Sequence, residues 1–387
     1  MDGSYSQTKQ QRYIEMNSVL DTNLLSADDV LLEPQLGKLY SRSDAELAPF
    51  IYSAPMDTVT GYELASAMLA EDEFPVICRD LSDKEYCACL ALVQNTQGFV
   101  AVGATKSELL RFIKRVTSVE DQLTSDGITD TKINVAIDIA HGDSIVAYEA
   151  IAFLREYPFV GDIMSGSIAT PAAAMRCMKA GCTHLRIGIG PGSVCTTRLM
   201  TGVGVPQLSA VYLIHRELLD QDKRSQAILI ADGGIRYPGD AVKYLSAGAD
   251  AIMMGSVLSH AKESCGWDVS WPETPRNQVI SFPRPDPVPI LTKKFRGHAS
   301  SDFQQDRKGT VNRCPEGVST ESFEWTGETL KSICERYRGG VASALSYLGL
   351  ESMADLGPDN VRFMKVTTST YMESIPHNRE VTDVRSL

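Results

Sequence analysis

Short apolar runs recur along the chain, and each is followed by a small or polar residue and then by a stretch of helical period. Runs that are apolar at every position are typical of strands buried on both faces, as in a parallel sheet. The pattern predicts eight strands, at residues 50–53, 75–78, 99–102, 133–139, 162–164, 184–187, 227–231 and 251–254. Helices are predicted between them, among others at 61–70, 143–157, 171–180 and 238–247.

Eight strand–helix units match the size of an α/β fold of the (β/α)8 TIM-barrel type. A doubly wound sheet is the alternative, but the chain lacks the G-x-G-x-x-G pattern after its first strand. We therefore predict one barrel domain over residues 1–387, with a long flap after the last strand at about 265–326 and a tail at about 362–387. The flap prediction rests on its proline-rich and polar composition and on its length.

Composition narrows the class of partner. The 37 basic residues against 49 acidic ones give a net charge of −12, which argues against binding to nucleic-acid backbones. No apolar run reaches the ~18 residues that a membrane span needs, and the polar N-terminus lacks a signal-peptide core. Nine cysteines, an odd number without zinc-finger spacing, fit a reducing compartment, so a cytoplasmic location is expected. No cluster has metal-ligand spacing, and no catalytic metal is predicted.

The glycine-rich segment GIGPGSVCTTR at residues 188–198 directly follows the strand at 184–187. Its glycines let the backbone approach a ligand closely, and Ser193 adds a hydroxyl and an N–H group. Cys195 lies where barrel enzymes keep their active sites, at the C-terminal end of a strand. A lone loop cysteine is more often a buried bystander than a nucleophile. The glycines and the neighbouring Thr196 and Thr197 favour the nucleophile.

Two further glycine loops follow the last two strands. They are ADGGI, with Asp232, and MGS, with Gly255 and Ser256. Loops at these two positions commonly bind phosphate in barrels, whereas a carboxylate suits a ribose diol. Taken alone, each glycine pair is more often a turn with a helix-capping residue than a ligand site. Their convergence with the loop at 188–198 on one mouth favours a nucleotide site. Asp138 and His141, after the strand at 133–139, are either ligand contacts or caps.

These motifs, in this order, resemble those of the IMP dehydrogenase/GMP reductase family. Further matches are LSADDVLLEP, SAPMDTVTGYELA, IDIAHGDS and FRGHAS, and the resemblance runs from about residue 25 to about residue 373. It implies a barrel that assembles as a homotetramer or homo-octamer, a purine nucleoside monophosphate (GMP or IMP) as substrate, and NADPH or, alternatively, NAD as cofactor. No nucleic-acid or membrane partner is implied.

The resemblance also implies roles for individual residues. Cys195 would form a covalent adduct at purine C2, and Thr197 and Asp302 would move the proton of the leaving group. The substrate would be held by Ser53, Met56, Ser193, Asp232, Gly233, Gly234, Met254, Gly255, Ser256, Arg296, Gly297, His298 and Glu316. The cofactor would be held by Asp138, Ala140, His141, Ser167 and Arg186. Potassium would be held by carbonyls of Gly190, Gly192 and Cys195, completed by tail residues 373–375 of a partner subunit.

Several features favour a reductase, which converts GMP to IMP and ammonia with NADPH. Only a short connector, from residue 79 to residue 134, stands where dehydrogenases usually carry paired regulatory domains of the cystathionine-synthase type. Three segments resemble those of reductases: YSRS, PQLSAV and the flap sequence around Asp302. The dehydrogenase flap carries an Arg-Tyr pair, whereas this flap has Arg307-Lys308 and lacks the tyrosine. FRG, ADGGIRY and GVGVPQ fit an IMP dehydrogenase, which oxidises IMP to XMP with NAD.

Two residues differ from the usual family sequence at positions that matter for both the reductase and the dehydrogenase activity. Ser167 stands where the family usually has asparagine, and His298 stands where it usually has methionine or serine. They keep open a third possibility, a divergent non-catalytic paralogue that binds nucleotide without turning it over.

Overall fold

The computed structural model describes residues 24–125, 131–270 and 290–374 of the 387-residue chain. Its strands are β1 (Val30–Leu32), β2 (Ile51–Ser53), β3 (Val76–Ile77), β4 (Phe99–Val102), β5 (Ile133–Asp138), β6 (Val160–Ile168), β7 (His184–Ile187), β8 (Ile228–Asp232), β9 (Ala251–Met254), β10 (Asp268–Ser270), β11 (Ile290–Lys293), β12 (Phe323–Glu324) and β13 (Phe363–Lys365). Its α-helices are α1 (Tyr62–Ala70), α2 (Asp83–Val93), α3 (Lys106–Ser125), α4 (Ile145–Leu154), α5 (Pro171–Ala180), α6 (Thr197–Thr201), α7 (Gln207–Asp220), α8 (Pro238–Ser246), α9 (Ser301–Lys308), α10 (Leu330–Leu348) and α11 (Thr368–Glu373).

Strands β2 to β9 form one parallel sheet in the order β2-β9-β8-β7-β6-β5-β4-β3. A parallel bridge between Tyr52 and Phe74 joins β2 to the residues just before β3. There the Phe74 N–H donates to Ile51 O at 3.0 Å, and the Ser53 N–H donates to Phe74 O at 3.1 Å. The two edge strands thus meet, and the sheet is a barrel. The prediction of a (β/α)8 barrel is confirmed, and the doubly wound alternative is wrong.

All eight predicted barrel strands are present, with shifted ends. The largest shift is in β6, which runs over Val160–Ile168 instead of 162–164, because β5 and β7 pair with it on both sides. The helix predicted at 143–157 is α4, Ile145–Leu154. It begins where the Ser144 side chain accepts a hydrogen bond from the Ala147 N–H at 3.3 Å, as an N-cap does.

Side chains at alternate strand positions fill the barrel interior, because successive strand residues point to opposite faces. The interior cluster includes Tyr52, Val76, Phe99, Ala136, Met164, Ile230, Ala251 and Met253. The His184 ring joins it, 4.9 Å from that of Phe99. Two residues beyond Ala136, His184 and Ile230 along their strands come Asp138, Arg186 and Asp232. The same alternation therefore aims these charged side chains into the barrel, one layer above the apolar core.

The flap folds against the mouth of the barrel. Strands β10, β11 and β12 form a small antiparallel sheet, and α9 follows β11 along the chain. Flap residues 271–289 lie outside the described residues. The predicted tail begins as β13, which pairs antiparallel with β1, and its residues 375–387 also lie outside the described part.

Helix α10 completes the outer layer by packing on α8 and α1. Thr329 caps it by accepting a hydrogen bond from the Ser332 N–H at 3.3 Å. Across the three described ranges, no helix combines the length and the apolar character that crossing a membrane requires.

Candidate active site

A cavity of about 1440 Å³ opens at the C-terminal ends of the barrel strands. Its walls include the loops after β5, β7, β8 and β9, together with flap residues 295, 297–299 and 316–317. Barrel enzymes place their active sites at this end. Pockets for one small ligand usually measure roughly 300–1000 Å³. The cavity therefore has room for two ligands side by side.

The loop at residues 188–198 places a thiol on the cavity wall. The Cys195 thiol donates a hydrogen bond to Thr197 Oγ1 at 3.2 Å. The Cys195 N–H donates to Gly192 O at 3.0 Å, which folds the loop back on itself. Gly190 has a φ of +83°, a conformation that a side chain would strain. The glycines thus turn the chain so that Cys195 and Thr197 lie together.

The flap pairs directly with this loop. The Thr196 N–H donates to Glu316 O at 2.8 Å, and the Val318 N–H donates to Val194 O at 2.9 Å. A Cβ atom on Gly317, between these two partners, would lie 3.1 Å from the backbone nitrogen of Ser300, so only glycine fits comfortably. This pairing brings Glu316 to the rim of the cavity beside the thiol.

A buried arginine joins the two carboxylates at the top of the barrel. Arg186 Nη1 donates to Asp138 Oδ1 at 3.0 Å, and Arg186 Nε lies 3.3 Å from Asp232 Oδ2. Burial raises the pKa of Asp232 to about 6; Arg186 opposes that rise and Asp138 adds to it. Burial acts on Asp138 in the same direction, but Arg186, His298 and Arg79 together hold its pKa well below the ordinary value. At neutral pH Asp138 is therefore an anion, whereas Asp232 takes up a proton as the pH falls through about 6.

Two more basic side chains approach Asp138 from the other side. His298 belongs to the flap, and its Nδ1 lies 3.4 Å from Asp138 Oδ2. Arg79 lies just after β3, and its Nε lies 3.6 Å from the same oxygen. The Ser167 hydroxyl is 3.4 Å from Arg186 Nη2. Asp138 thus links three elements of the barrel to the flap.

The two glycine loops after β8 and β9 border the other half of the cavity. Gly234 has a φ of +73°, and a Cβ atom there would lie 3.0 Å from the Tyr244 hydroxyl. A Cβ atom on Gly255 would come within 3.1 Å of Met56 Sδ. The backbone therefore borders the cavity directly at these loops, an arrangement that suits anion binding by N–H groups.

Comparison with known proteins agrees with this geometry. The sequence profile described as "IMP dehydrogenase / GMP reductase domain" matches residues 24–377. The chain belongs to this family.

Relatives in the IMP dehydrogenase/GMP reductase family carry the name inosine-5'-monophosphate dehydrogenase. The protein of Chlorobaculum tepidum is 32% identical over 317 residues, which cover 79% of this chain and 57% of the relative. That of Borreliella burgdorferi is 31% identical, covering 80% and 67%, and that of Staphylococcus epidermidis is 28% identical, covering 96% and 69%. The chain thus spans between about half and two thirds of the length of these relatives.

Most residues that the family resemblance singled out meet in the cavity. Its lining includes Met56, Asp138, Ala140, Ser167, Arg186, Gly190, Gly192, Ser193, Cys195, Thr197, Asp232, Gly233, Gly234, Met254, Gly255, Ser256, Gly297, His298 and Glu316. They come from at least six segments that are far apart in the sequence.

Four of the proposed site residues lie away from the lining of the cavity as described. Ser53 is buried, and its hydroxyl accepts the Val76 N–H at 3.0 Å. Arg296 pairs with Asp57 at 2.7 Å. His141 and Asp302 are exposed, the latter in the first turn of α9. Their roles in binding and catalysis stay predictions.

Sequence reasoning missed several polar residues of the cavity lining, of which Arg79 and Gln304 are two. Arg79 lines the cavity and follows a predicted strand, so the rule that found Asp138 and Asp232 applies to it as well. Gln304 also lines the cavity, although it is almost fully buried. Its side-chain amide donates to Ala299 O at 2.9 Å, and no local sequence signal marks it.

Proposed function

We propose that this protein is an oxidoreductase of purine nucleoside monophosphates that converts GMP to IMP and ammonia with NADPH. The observation that carries the proposal is the Cys195 thiol, 3.2 Å from the Thr197 hydroxyl, on the wall of a cavity with room for two ligands. The family supports a purine nucleotide as substrate and a nicotinamide cofactor in general terms.

In this proposal Cys195 is the nucleophile. Its sulfur forms a bond to C2 of the purine, the bond from C2 to the 2-amino group breaks, and C2 stays bound to the sulfur as a thioimidate. The thiol proton passes to Thr197 Oγ1, 3.2 Å away, as this hydroxyl gives its own proton to the departing amino group, which leaves as ammonia. NADPH would supply a hydride to C2, the C–S bond would break, and the released thiolate would take up a proton from solvent. Covalent catalysis divides one difficult displacement into two easier steps.

The two halves of the cavity suit the two ligands. Ser193, Gly234 and Gly255 border the half that would take the 5′-phosphate, and Asp232 would accept hydrogen bonds from the ribose hydroxyls. The fixed anion Asp138 and the surrounding Arg186, Ser167 and Ala140 would hold the nicotinamide riboside. Buried, charge-compensated groups such as these position a ligand without reorganising.

IMP dehydrogenase activity is the second candidate, because the relatives reported above bear that name. The flap also carries Arg307, whose Nη2 lies 3.5 Å from Asp57 Oδ2. In dehydrogenases a flap arginine would activate water for hydrolysis of the adduct, but Arg307 is not among the residues that line the cavity. The flap has no tyrosine after Arg307, since Lys308 follows it.

A paired assay separates the activities. Purified protein is mixed with GMP and NADPH, or with IMP and NAD, and nicotinamide absorbance and ammonia are followed. We expect NADPH consumption and equimolar ammonia with GMP. Turnover of IMP and NAD without turnover of GMP would establish the dehydrogenase. Nucleotide binding without turnover in either assay would establish the non-catalytic paralogue.

The pKa of Asp232 gives a further prediction. Above pH 6 its carboxylate accepts hydrogen bonds from two ribose hydroxyls, and below pH 6 the neutral acid accepts fewer. We expect kcat/KM for the nucleotide to fall by up to about tenfold per pH unit below pH 6. Asp232→Asn should remove this acid limb. Because nucleotide phosphates also titrate there, the comparison is repeated with the nucleoside; an unchanged limb in Asp232→Asn would contradict the assignment.

The expectations about assembly and about ion binding stay predictions. A homotetramer or homo-octamer is testable by light scattering of the purified protein. Potassium at the carbonyls of Gly190, Gly192 and Cys195 also stays a prediction. In the same loop, Arg198 Nε donates to Ile189 O at 2.9 Å. No step of the proposed reaction uses the ion.

A further inference from the structure

Three potential metal ligands meet beside the cavity although they lie far apart in the sequence. Cys78 directly follows β3, Asp80 comes two residues later, and His298 belongs to the flap. Cys78 Sγ lies 4.0 Å from His298 Nε2, and His298 Nε2 lies 3.7 Å from Asp80 Oδ2. The three ligand atoms all fall within 4.8 Å of one another.

This geometry is close to that of a tetrahedral zinc site. Zinc binds thiolate sulfur at ~2.3 Å and imidazole nitrogen or carboxylate oxygen at ~2.0–2.2 Å, so its ligand atoms lie roughly 3.3–3.6 Å apart. The Cys78–His298 and His298–Asp80 separations exceed that range by a few tenths of an ångström, and the third pair, Cys78 Sγ and the Asp80 carboxylate, lies within 4.8 Å. Small rotations of the Asp80 and His298 side chains, each of which is partly exposed, would close the gap.

The groups around the cluster are arranged as a metal site requires. Asp80 Oδ2 is buried and has no hydrogen-bond partner in the described structure. The Asp80 N–H points at Cys78 Sγ from 3.4 Å, where it would stabilise a thiolate. Asp80 Oδ2 is thus a buried oxygen without a hydrogen-bond donor, and Cys78 is a fully buried thiol. A cation bound to both would compensate the cost of burying them.

A second carboxylate holds the histidine in the correct orientation. While Nε2 of His298 faces Cys78 and Asp80, its Nδ1 lies 3.4 Å from Asp138 Oδ2. Metal-bound histidines commonly donate their other ring N–H to a carboxylate in this way, which fixes the tautomer.

One positive charge competes for the same space. Arg79 Nε lies 3.8 Å from Asp80 Oδ2, and it also lies 3.6 Å from Asp138. Its Nη1 donates to Glu108 Oε1 at 2.7 Å. Arg79 is thus shared among three carboxylates, which leaves this corner with an excess of negative charge that a dication would balance.

We propose that Cys78, Asp80 and His298 form a binding site for a divalent cation of the zinc class, with water in the fourth position. Binding would release the Cys78 thiol proton to solvent and would fasten the flap to the second strand of the barrel. None of the three ligands takes part in the covalent step, although His298 also lines the substrate cavity.

The test uses cobalt as a spectroscopic probe for zinc. The full-length protein is treated with a chelator and titrated with Co²⁺ while thiolate-to-cobalt absorption in the near ultraviolet is recorded, and Zn²⁺ is then added in competition. We expect one equivalent of Co²⁺ to give the thiolate band and Zn²⁺ to abolish it. Cys78→Ser should remove the band, and Asp80→Asn should weaken binding by at least about 100-fold. The matched controls Cys195→Ser and Cys314→Ser should keep both.

Two results would overturn the site: no stoichiometric cobalt–thiolate band in the wild type, or a band that persists in Cys78→Ser. If Cys78→Ser fails to fold, as judged by circular dichroism, Asp80→Asn and His298→Gln decide. Unchanged affinity in both would reject the proposal. Protease digestion supplies a second measurement: Zn²⁺ should slow cleavage within residues 290–326 in the wild type but not in Asp80→Asn. Equal protection in both proteins would show that zinc acts elsewhere.

Discussion

Replacing Cys195 with alanine should abolish turnover while nucleotide binding stays close to that of the wild type. The sulfur supplies the only bond to the purine in the proposed mechanism, so its loss should lower kcat by on the order of 10⁴-fold or more, as when a catalytic nucleophile is removed from other enzymes. The binding groups come from other loops, and the backbone around Cys195 keeps its pairing with Gly192 and Gly317. Steady-state kinetics and calorimetric titration with the nucleotide measure the two effects.

Cys314→Ala is the control, because Cys314 is an exposed thiol in the same flap. It should leave kcat within about twofold, as expected for a surface substitution. Intact-mass measurement of the wild type during turnover should show the nucleotide adduct, and the Cys195→Ala protein should show none. Surviving turnover in Cys195→Ala would contradict the covalent mechanism whichever substrate is used.

The second large effect concerns stability. Asp138→Asn removes a buried carboxylate that faces Arg186, Arg79 and His298. Breaking a buried ion pair while leaving its partner in place typically costs about 3–5 kcal/mol. Because Arg186 keeps Asp232 as a second partner, we expect a loss near 3 kcal/mol in the free energy of unfolding. Urea denaturation at pH 7 measures it.

The pH dependence of this loss is a sharper test. The pKa of Asp138 is lowered in the folded state, so its contribution to stability is present above the unfolded pKa of ~3.9 and is lost as the pH falls below it. The stability difference between wild type and Asp138→Asn should therefore shrink below pH 4. Glu335→Gln, which disrupts the exposed pair with Lys331 at 4.0 Å, should change stability by less than about 1 kcal/mol. A difference independent of pH would mean that packing, and not charge, holds Asp138.

The barrel was predictable because its strands are buried on both faces and read as continuous apolar runs. The β1–β13 pair was not, since each strand has only three residues and its partner lies more than 300 positions away. The three-stranded sheet of the flap was missed for a similar reason. Strand β12 has only two residues, and the sequence around residues 323–324 does not indicate that they pair with β11.

The residues of the candidate site also fall into two groups, those that local sequence signals indicate and those that they do not. Glycine loops and polar residues at strand ends are local signals, and they located Cys195, Asp138 and Asp232. In the flap the sequence suggested Asp302, whereas the structure turns Gln304 inward and leaves Asp302 exposed. Side chains two positions apart on a helix point ~200° apart. Which of Asp302 and Gln304 faces the cavity therefore depends on how the helix is rotated, and the sequence does not indicate that. The meeting of Cys78, Asp80 and His298 depends on where the flap lands, and spacing along the chain gave no sign of it.

The pairing of β1 with β13 also affects the order in which the protein is made. Residues 26–28, which precede β1 and line the cavity, are anchored when the Val366 N–H donates to Asp29 O at 2.8 Å and when β13 forms its register with Val30, Leu31 and Leu32. On the ribosome that anchor does not exist until residue 366 has left the exit tunnel. The contacts that residues 25–28 make with Ser209, Arg236 and Lys243 can form earlier, so the pairing with β13 is the last of these restraints to become available to the newly made chain.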